Sequence, residues 1–587
     1  MLKIAYGEAS FDNLRNRNDL YIDKTHFIPL MENHTKFFFI RPRRFGKSLW
    51  LSVLHAYYDT NKADKFDKLF DELYIQKSPT DYKDSYLILR FDFSGLNTEN
   101  EQSLKSDFTF RVRRQAISFF QYYKNFFDNS FLENIEKEFE SISASQLISM
   151  VKEKANLIQK KVYVLIDEYD HYANKLASEG REAFVRNIVS KTGFVREFYE
   201  QMKIASGEGV FERFFITGVS PIMLDELSSG FNILSDMTID PHFNEMIGFT
   251  LDEVKSLLEK VKAERYIHKT KEEVLQDLIQ YYNGYCFSDA ANTKLFNSDM
   301  VLYFMEKFSR IGYPKELLDE NVKTDYNKLS GLIVGTSGKD KLQSIIEEIN
   351  LNDTLILDLS KRFNFTQRFG DSELKSLLFY LGLLTFSETG EMKIPNYVIR
   401  TLYWEYLHKY LEEERNIEFD VTLLGRAIKD MAKRGDASGL KILATDFFQN
   451  KLSGYDFSGL TEKHVKFIFV SYFTLSKLYN IISERELSGM KRIDLLFEAH
   501  PAYYDYVFYN FILEFKYIRK KDSEEVATQK RKEAIEQARD YYEIYKRDFK
   551  QFGRELRSIA LIVNHSREVE LIEVCGFGEC NRPQPMG

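Results

Sequence analysis

Cysteine and proline are scarce in this chain, which has three cysteines and ten prolines among 587 residues. So few cysteines exclude a disulfide framework and suit a reducing compartment. Cys575 and Cys580 are close enough in sequence to share a metal ion, but no second pair nearby completes a zinc site. We therefore expect ordinary thiols at both positions.

Long apolar runs are also missing. No stretch approaches about 18 uncharged apolar residues, the length that crosses a bilayer, so we predict no transmembrane helix and no membrane partner. The first residues, MLKIAYGEASFDNLR, lack the apolar core of a signal peptide. The expected location is the cytoplasm.

Positive charge is in deficit, and the formal net charge is −8. A nucleic-acid partner would therefore need a local basic surface, because the overall field repels phosphate. Aromatic residues are abundant instead, with 50 Phe and 36 Tyr. This composition favours packed helices and strands over disordered linkers, and the length indicates two or three domains.

Short apolar runs alternate with long amphipathic stretches in the first half of the chain. The strand candidates are Lys36–Ile40, Leu87–Phe93, Lys161–Ile166 and Arg213–Thr217, and helices are predicted between them over Ser103–Lys124 and Leu132–Lys160. Apolar strands that alternate with helices predict an α/β fold with a parallel sheet and helices on both faces.

The pattern becomes mostly helical after about residue 250. Helical stretches continue through Leu374–Thr385 and Leu402–Glu414, with a turn at Ile394–Tyr397. Strands return near the C-terminus, at Arg492–Phe497, Tyr506–Tyr517 and Ser558–Val563, with a long helix over about Glu524 to Arg547 before the last of them. A helical lid or connector thus separates two α/β regions.

The segment IRPRRFGKS at 40–48 has the setting of a phosphate loop, since it follows an apolar strand and precedes a helical stretch. Backbone N–H groups of such a loop face the phosphates of ATP, Lys47 reaches the β and γ oxygens, and the Ser48 hydroxyl holds Mg²⁺. Gly46 allows close approach of the backbone. The first glycine of G-x-x-x-x-G-K-[ST] is replaced by Arg41. A basic turn before a helix is the alternative.

A second element, VYVLIDEYD at 162–170, strengthens this interpretation. Asp167 ends an apolar strand, where it is placed to hold Mg²⁺ through water, and Glu168 is the candidate that polarises the attacking water. Acids in a solvated turn after a strand are the alternative. The order of the two elements favours an ATPase with a catalytic Glu beside the metal-linked Asp.

The next core strand ends in FITGVSP at 215–221. A polar residue there would lie between the two motifs and could touch the γ-phosphate or the attacking water. Thr217 is the candidate and Ser220 the alternate, and a strand-terminal turn is the competing interpretation.

The remaining loop residues, Arg41, Pro42, Arg43, Arg44 and Phe45, are assigned to the nucleotide site with the rest of the loop. The arginines could pair with phosphates or supply an arginine finger in cis. They could also bind acidic neighbours or nucleic acid. A finger from a neighbouring copy would require a homo-oligomer, and the sequence does not choose among these.

A second set of charged residues lies within apolar strands near the C-terminus. Asp494 is inside KRIDLLF, and Glu514 and Lys516 project from the same face of VFYNFILEFKY. Buried charge needs compensation. Asp494 and Glu514 can hold Mg²⁺ with the carbonyl of Phe515, and Lys516 could orient or help deprotonate a water. This is the D…E-x-K layout of PD-(D/E)XK nucleases, and an edge strand with an ion pair is the alternative.

Lys516 also begins a basic run with Arg519, Lys520 and Lys521, which would help phosphate contact or form a solvated turn. Glu462 and Glu484 are further acids nearby, for which a solvated carboxylate is the favoured interpretation.

The chain resembles a bacterial family of AAA-ATPase-like proteins that carry a C-terminal PD-(D/E)XK nuclease-like domain. The similar segments are FDNLR at 11–15, YIDKT at 21–25, RPRRFGKS at 41–48, LIDEYD at 165–170, ITGVSP at 216–221, YNGYCF at 282–287 and IPNY at 394–397. The family pattern also has Arg in place of the first loop glycine. For YIDKT we expect a structural turn with a local ion pair of Asp23 and Lys24, and a part in the nucleotide pocket is the alternative.

From the sequence pattern we expect the helical lid or connector to span 246–415. The resemblance implies an ATPase domain before it, over 1–245, and a restriction-endonuclease-like α/β domain after it, over 416–587. It also implies that Gln537, on the helix after Lys516, faces the nuclease-like site. The expected function is ATP hydrolysis coupled to Mg²⁺-dependent cleavage of DNA or RNA. The alternative is a nucleotide-dependent binding module or switch whose nuclease-like domain recruits a partner without cutting.

Overall fold

A computed structural model describes most of the chain. The described residues are 3–96, 101–171, 174, 193–221, 233–261, 263, 268–324, 339–352, 354–361, 363, 369–415, 417, 420–451, 462–487 and 491–574. They form two compact units. The first unit comprises Met1–Lys262, Lys271–Ser309 and Leu317–Asn396, and the second comprises Ala263–Thr270, Arg310–Glu316 and Tyr397–Gly587. Among the described helices, none is long and apolar enough to span a bilayer.

The first unit contains a parallel sheet of five strands. In chain order these are β1 Lys36–Phe38, β2 Leu87–Asp92, β3 Val162–Asp167, β4 Phe211–Ile216 and β5 Ser235–Asp236, and their order across the sheet is β2-β3-β4-β1-β5. Every residue of β3 is buried, as expected for a central parallel strand covered on both faces. Because the strands are parallel, the carboxyl ends of β1, β3 and β4 meet at one edge.

Helices connect and cover these strands. They are α1 Phe11–Asn16, α2 Phe27–Met31, α3 Lys47–Tyr58, α4 Phe66–Leu69, α5 Tyr74–Lys77, α6 Glu101–Tyr122, α7 Asn129–Phe139, α8 Ala144–Leu157 and α9 Phe194–Gly207. Among them α3 packs on β3, α6 on β2 and α9 on β4. The single helix expected over 132–160 is wrong, because Ser143 starts α8 with a reciprocal capping box to Gln146.

A mostly helical region completes the first unit. Its helices are α10 Leu251–Lys260, α11 Lys271–Tyr282, α12 Ser298–Ile311, α13 Lys339–Asn352 and α14 Asp371–Tyr380. A small antiparallel sheet, with the order β6-β8-β7, is formed by β6 Thr354–Leu355, β7 Thr385–Phe386 and β8 Met392–Lys393. The helix predicted to reach Thr385 ends at Tyr380, and Thr385 lies in β7 instead.

The second unit contains a mixed sheet with the order β13-β12-β11-β10-β9. Its strands are β9 Tyr479–Leu487, β10 Lys491–Ala499, β11 Tyr509–Ile518, β12 Glu555–Asn564 and β13 Val569–Val574. The helices are α15 Tyr397–Arg415, α16 Val421–Arg434, α17 Ser438–Asp446, α18 Glu462–Phe473 and α19 Glu524–Asp548. Strands β11 and β12 are parallel, and α19 connects them and packs on both. The overall class is therefore α/β, as predicted.

Candidate functional sites

The first site begins where β1 ends and α3 starts. Residues 39–46 form a loop between them, and Lys47 is the first residue of α3. Gly46 caps the helix with a φ of 98°, a left-handed conformation that glycine adopts without steric cost. The loop therefore directs the N-terminus of α3 at the edge where the parallel strands end. Such a helix start favours bound anions.

Lys47 is buried and its ammonium is held inside the loop. It donates hydrogen bonds to the carbonyl oxygens of Arg41 at 2.9 Å and Pro42 at 3.0 Å. Burial lowers the pKa of Lys47, while the carboxylates of Glu168 and Asp167 oppose that shift. Within the described chain two of its three N–H donors have these carbonyl partners, which leaves one for a ligand oxygen.

Ser48 and Asp167 meet directly at this edge. The Ser48 hydroxyl hydrogen-bonds to the Asp167 carboxylate. Burial and the neighbouring carboxylates of Glu168 and Asp92 raise the pKa of Asp167 to about 6, and the Ser48 hydrogen bond and Lys47 act against this. A hydroxyl and a carboxylate in contact form an oxygen-rich donor set, the kind that Mg²⁺ prefers.

Glu168 follows Asp167 with a φ of 51°, so the chain turns sharply after β3. Its Oε2 lies 3.6 Å from Nδ1 of His171. Burial acts to raise the pKa of Glu168, but His171 and the positive charges of Lys47 and Arg43 outweigh it and lower the pKa to about 2. The side chain is therefore an anion at neutral pH and is suited to accept a hydrogen bond from water.

Arg41 has a different environment from the one predicted. Its guanidinium lies over the rings of Phe39 and Phe287, at 3.9 and 4.4 Å from the centroids. It donates hydrogen bonds to three carbonyl oxygens, those of Ile40, Thr238 and Phe243. Burial lowers the pKa of Arg41 to about 9. The phosphate contact expected for this side chain is thus a misassignment: the guanidinium anchors the loop, and Arg41 faces Lys47 through its carbonyl.

The N-terminus of α12 holds the next part of the loop. The Asn297 amide donates to the carbonyl of Arg43 at 3.2 Å, and the Asp299 N–H donates to the carbonyl of Arg44 at 3.2 Å. The Ser298 hydroxyl also donates to the Arg44 carbonyl, and the Arg44 guanidinium pairs with the Asp299 carboxylate at 3.3 Å. These contacts from the start of α12 fix the carbonyl groups of Arg43 and Arg44 in the loop.

Phe45 and Pro42 are packing residues of the loop. The Phe45 ring meets Tyr285 and Phe287 edge-on, at centroid distances of 4.9 and 5.3 Å. Pro42 packs against Gly382. The segment YNGYCF at 282–287 thus supplies aromatic rings that pack against the phosphate loop.

Thr217 lies where β4 ends, and β4 runs between β1 and β3. Its hydroxyl oxygen is buried, with no hydrogen-bond partner among the described residues. The alternate, Ser220, is engaged elsewhere, because its hydroxyl contacts Asp170 at 2.8 Å and Asn174 at 2.7 Å. Thr217 therefore has the unsatisfied polar atom that a sensing role needs, while a γ-phosphate contact stays a prediction.

Asp170 is a buried acid whose role the sequence did not reveal. Its carboxylate accepts hydrogen bonds from the backbone N–H groups of Val219 and Ser220. The end of β3 is thereby tied to the turn after β4. Burial and the charge of Glu168 raise the pKa of Asp170.

In the YIDKT segment Asp23 stabilises the local backbone, but Lys24 forms its ion pair with a residue distant in the sequence. Asp23 accepts hydrogen bonds from the backbone N–H groups of Thr25 and Tyr74. Lys24 pairs at 2.7 Å with Glu253 near the start of α10, far along the chain. The predicted local pair is therefore wrong.

These groups surround a cavity of about 510 Å³ in the first unit. Its lining includes Arg43, Arg44, Phe45, Gly46, Lys47, Ser48, Asp92, Asp167, Glu168, Lys24 and Asp299, together with an apolar part formed by Leu14, Trp50, Val53, Ile247 and Leu302. Arg41, Pro42 and Thr217 are outside that lining set. The size and the pairing of an apolar region with convergent charges are typical of small-molecule sites.

The second site lies between β10 and β11. Their antiparallel register pairs Leu495 with Leu513, so Asp494 and Glu514 are the next residues on the two strands. Asp494 accepts a hydrogen bond from the Phe515 N–H at 3.0 Å. The Lys516 ammonium lies 3.8 Å from Glu514. The structure therefore brings the D…E-x-K residues together.

Gln537 of α19 faces the same cluster. Its Oε1 accepts a hydrogen bond from Lys516 at 3.4 Å. The carbonyl of Phe515 as a metal ligand stays a prediction. Within the described residues no group of three or more His, Cys, Asp or Glu side chains is arranged to hold a metal ion. The side chains of Glu462 and Glu484, and both Cys575 and Cys580, lie outside the described part.

Lys466 of α18 is a member of this site that the sequence did not identify. Its side chain is buried, and its ammonium donates to Asp494 Oδ1 at 2.9 Å. The only sign of this role in the sequence was that Lys466 interrupts an apolar helix face. It lies one helical turn before the buried residues Phe469 and Val470.

A parallel α/β sheet with a Lys–Ser helix start beside a strand-end Asp–Glu pair defines a phosphate-loop nucleotide-binding fold. Residues 5–228 match the family model described as a predicted AAA-ATPase, and residues 460–571 match that of the PD-(D/E)XK nuclease superfamily. The chain therefore carries an AAA-ATPase-like domain and a C-terminal PD-(D/E)XK nuclease superfamily domain, which confirms the resemblance seen in the sequence.

An uncharacterized protein in the vnfD 5′ region of Azotobacter chroococcum mcd 1 is similar to this chain. The two are 23% identical over 531 residues, covering 86% of this chain and 89% of the relative. No solved structure matches the chain.

Proposed function

We propose that the first unit binds and hydrolyses ATP with Mg²⁺, and that this cycle controls phosphodiester cleavage by the second unit. One observation carries the proposal: Lys47, Ser48, Asp167 and Glu168 converge on one cavity at the carboxyl edge of a parallel sheet. An ammonium, a hydroxyl and two carboxylates are the groups that hold a magnesium triphosphate and activate water.

Each of these residues has a separate task. Two N–H groups of the Lys47 ammonium bind backbone carbonyls. The third would bind the β- and γ-phosphate oxygens. Ser48 and Asp167 would hold Mg²⁺, Ser48 directly and Asp167 through water. The ion, when bound, would neutralise charge that develops on the γ-phosphate. Glu168 would accept a hydrogen bond from the attacking water, and the low pKa of its carboxyl group keeps it ionised for that task.

In the second unit, Asp494 and Glu514 would be the Mg²⁺ ligands and Lys516 would orient the attacking water. Gln537 supports this role, because it fixes the Lys516 ammonium from α19. Bound Mg²⁺ would stabilise charge on the scissile phosphate. The proposed substrate is DNA or RNA, and the exposed run Arg519, Lys520 and Lys521 supplies positive charge near the site.

A second candidate is a nucleotide-dependent module that recruits nucleic acid without cutting it. The observation that favours it is the state of Asp494, whose two carboxylate oxygens are engaged by Lys466 and by the Phe515 N–H. A metal ion would have to compete for these oxygens.

One paired assay on the purified full chain distinguishes the candidates. Phosphate release from ATP and cleavage of labelled DNA and RNA are measured with Mg²⁺ for wild type, Lys47→Ala and Asp494→Asn. We expect Lys47→Ala to lose ATP turnover, and Asp494→Asn to lose cleavage while it keeps turnover. Lys105→Ala and Asp505→Asn, at exposed positions, serve as matched controls.

The outcomes separate clearly. Turnover in Lys47→Ala equal to wild type refutes the nucleotide site. Cleavage by Asp494→Asn at the wild-type rate refutes the nuclease assignment. ATP turnover together with nucleic-acid binding, but no cleavage by wild type, establishes the recruiting module.

A further inference from the structure

Lys466 is a buried cation of the second unit, and its contact with Asp494 has a chemical consequence. Its residue is 5% exposed, and it lies in α18 one turn before Phe469, which is 2% exposed. Removing an ammonium from water costs several kcal/mol unless a partner compensates. Asp494 is such a partner, since its Oδ1 lies 2.9 Å from the Lys466 Nζ.

Each of the two carboxylates in this cluster has an ammonium group near it. Lys466 contacts Asp494 at 2.9 Å, and Lys516 lies 3.8 Å from Glu514. Two ammonium groups thus accompany two carboxylates. Asp494 Oδ2 is further occupied by the Phe515 N–H. A divalent cation entering this arrangement meets two carboxylates that already have ammonium groups beside them.

We propose that the Lys466 ammonium occupies Oδ1 of Asp494 and must leave it before a divalent cation could bind at that oxygen. This inference rests on the proposed role of Asp494 and Glu514 as metal ligands. The ammonium and the cation compete for Oδ1, so Lys466 weakens metal binding in the absence of substrate. Lys466 is a positioning residue in this state, since it touches a ligand of the metal and not the reacting atoms.

The displaced ammonium then needs a new anion. A phosphate group of nucleic acid beside the cluster would supply one and would offset the cost of breaking the ion pair. Metal and nucleic acid therefore bind with positive coupling, each tightening the other, as thermodynamic linkage requires. The Lys466–Asp494 ion pair thus keeps the metal occupancy of the site low until a phosphodiester is present.

The test measures Mn²⁺ binding to the full chain by electron paramagnetic resonance, without nucleotide. The variants are Lys466→Met, Lys466→Arg and Asp494→Asn. The matched control is Lys532→Met, at a Lys that is exposed on α19 and also lies close to a carboxylate, that of Glu536. We expect Lys466→Met to bind Mn²⁺ about tenfold more tightly than wild type, within the usual range for coupled sites. Lys466→Arg and Lys532→Met should resemble wild type, and Asp494→Asn should lose the site.

A second measurement needs no Lys466 variant. Mn²⁺ affinity of wild type is compared with and without a short oligonucleotide that has phosphorothioate linkages, and binding to Asp494→Asn under the same conditions is subtracted. We expect at least a fivefold increase in affinity. This arm decides the question if Lys466→Met does not fold, which thermal unfolding will reveal.

The failures are distinguishable. If Mn²⁺ binds wild type no better than Asp494→Asn, with and without oligonucleotide, the metal-ligand role in the proposed function is wrong and the inference falls with it. If Asp494→Asn abolishes a wild-type site but Lys466→Met leaves its affinity unchanged or weaker, only the displacement by Lys466 is refuted. An oligonucleotide that leaves wild-type affinity unchanged also overturns it.

Discussion

The Asp170 carboxylate packs against the backbone of Gly218 so closely that a methyl group at residue 218 would lie 2.1 Å from Asp170 Oδ1. This contact joins the end of β3 to the turn after β4. Asp167 and Glu168 lie at the first of these strand ends, and Thr217 lies at the second. The buried Asp170 carboxylate and the missing side chain at Gly218 therefore fix the distance between the two strand ends.

Gly218→Ala should destabilise the first unit. The added methyl group must displace Asp170 or the ring of Tyr169, and overpacking of this kind costs about 1–3 kcal/mol. Chemical denaturation should report a loss in that range, together with reduced ATP turnover. Gly207→Ala, at a position with open space around it, is the control and should be near neutral. Equal stability of the two variants would contradict the contact.

Glu168→Gln should separate binding of ATP from its hydrolysis. The amide keeps the size of the side chain but lacks the negative charge that polarises the attacking water, so turnover should fall by about 10²–10⁴ while ATP affinity changes little. Fluorescent-nucleotide binding and phosphate release measure the two quantities. Glu136→Gln, exposed on α7, is the matched control. Turnover retained in Glu168→Gln would assign the water-polarising role to another residue.

Asp167 should make the stability of the first unit depend on pH. Its pKa is raised from 3.8 to about 6 by burial, so between those values the folded protein keeps a proton that the unfolded chain loses. Stability contributed by this group therefore falls as pH rises through the window and stays lowered above about pH 6.

Asp167→Asn removes this penalty. Without Mg²⁺ and nucleotide, it should be more stable than wild type by about 2–3 kcal/mol at neutral pH, and the difference should vanish below about pH 4. Denaturation at several pH values checks this. Asp81→Asn, at an exposed position, should show no such difference. A constant difference across the range would indicate that a lost contact, and not the buried charge, sets the effect.

Asn297→Ala should weaken nucleotide binding more than it slows chemistry. The variant removes the hydrogen bond that fixes the Arg43 carbonyl, a contribution of about 1 kcal/mol. The expected result is a KM for ATP raised about fivefold with kcat nearly unchanged. Asn134→Ala on α7 removes an exposed amide that donates to the Ser130 carbonyl, and this control should match wild type. A fall in kcat at constant KM would argue against a role in shaping the loop.

Local sequence patterns located the central strands well, because their side chains are buried on both faces and read as continuous apolar runs. The expected strands at 87–93 and 161–166 correspond to β2 Leu87–Asp92 and β3 Val162–Asp167. Short strands such as β5 and β8 were missed, since two residues carry no period that distinguishes them from a turn.

The candidate sites were predictable where the chemistry is carried by adjacent residues. Lys47 and Ser48, or Glu514 and Lys516, lie close in sequence and were identified. Lys466 and Asn297 were not, because each acts on a residue distant in the chain, and only the folded contact shows it. Arg41 was misassigned for the same reason: its partners Thr238 and Phe287 are supplied by later segments.

The support that Arg41 and Phe45 receive from Tyr285 and Phe287 sets a lower limit on the size of a working nucleotide-binding fragment. A chain cut at residue 228, where the ATPase family match ends, would keep Lys47 and Ser48 but lose the rings that enclose the loop. Arg41 would then lose its contacts with Thr238, Phe243 and Phe287, and the carbonyls of Arg43 and Arg44 would lose their partners at the start of α12. Limited proteolysis that separates 1–228 from the rest should therefore abolish ATP binding although every residue of the loop survives.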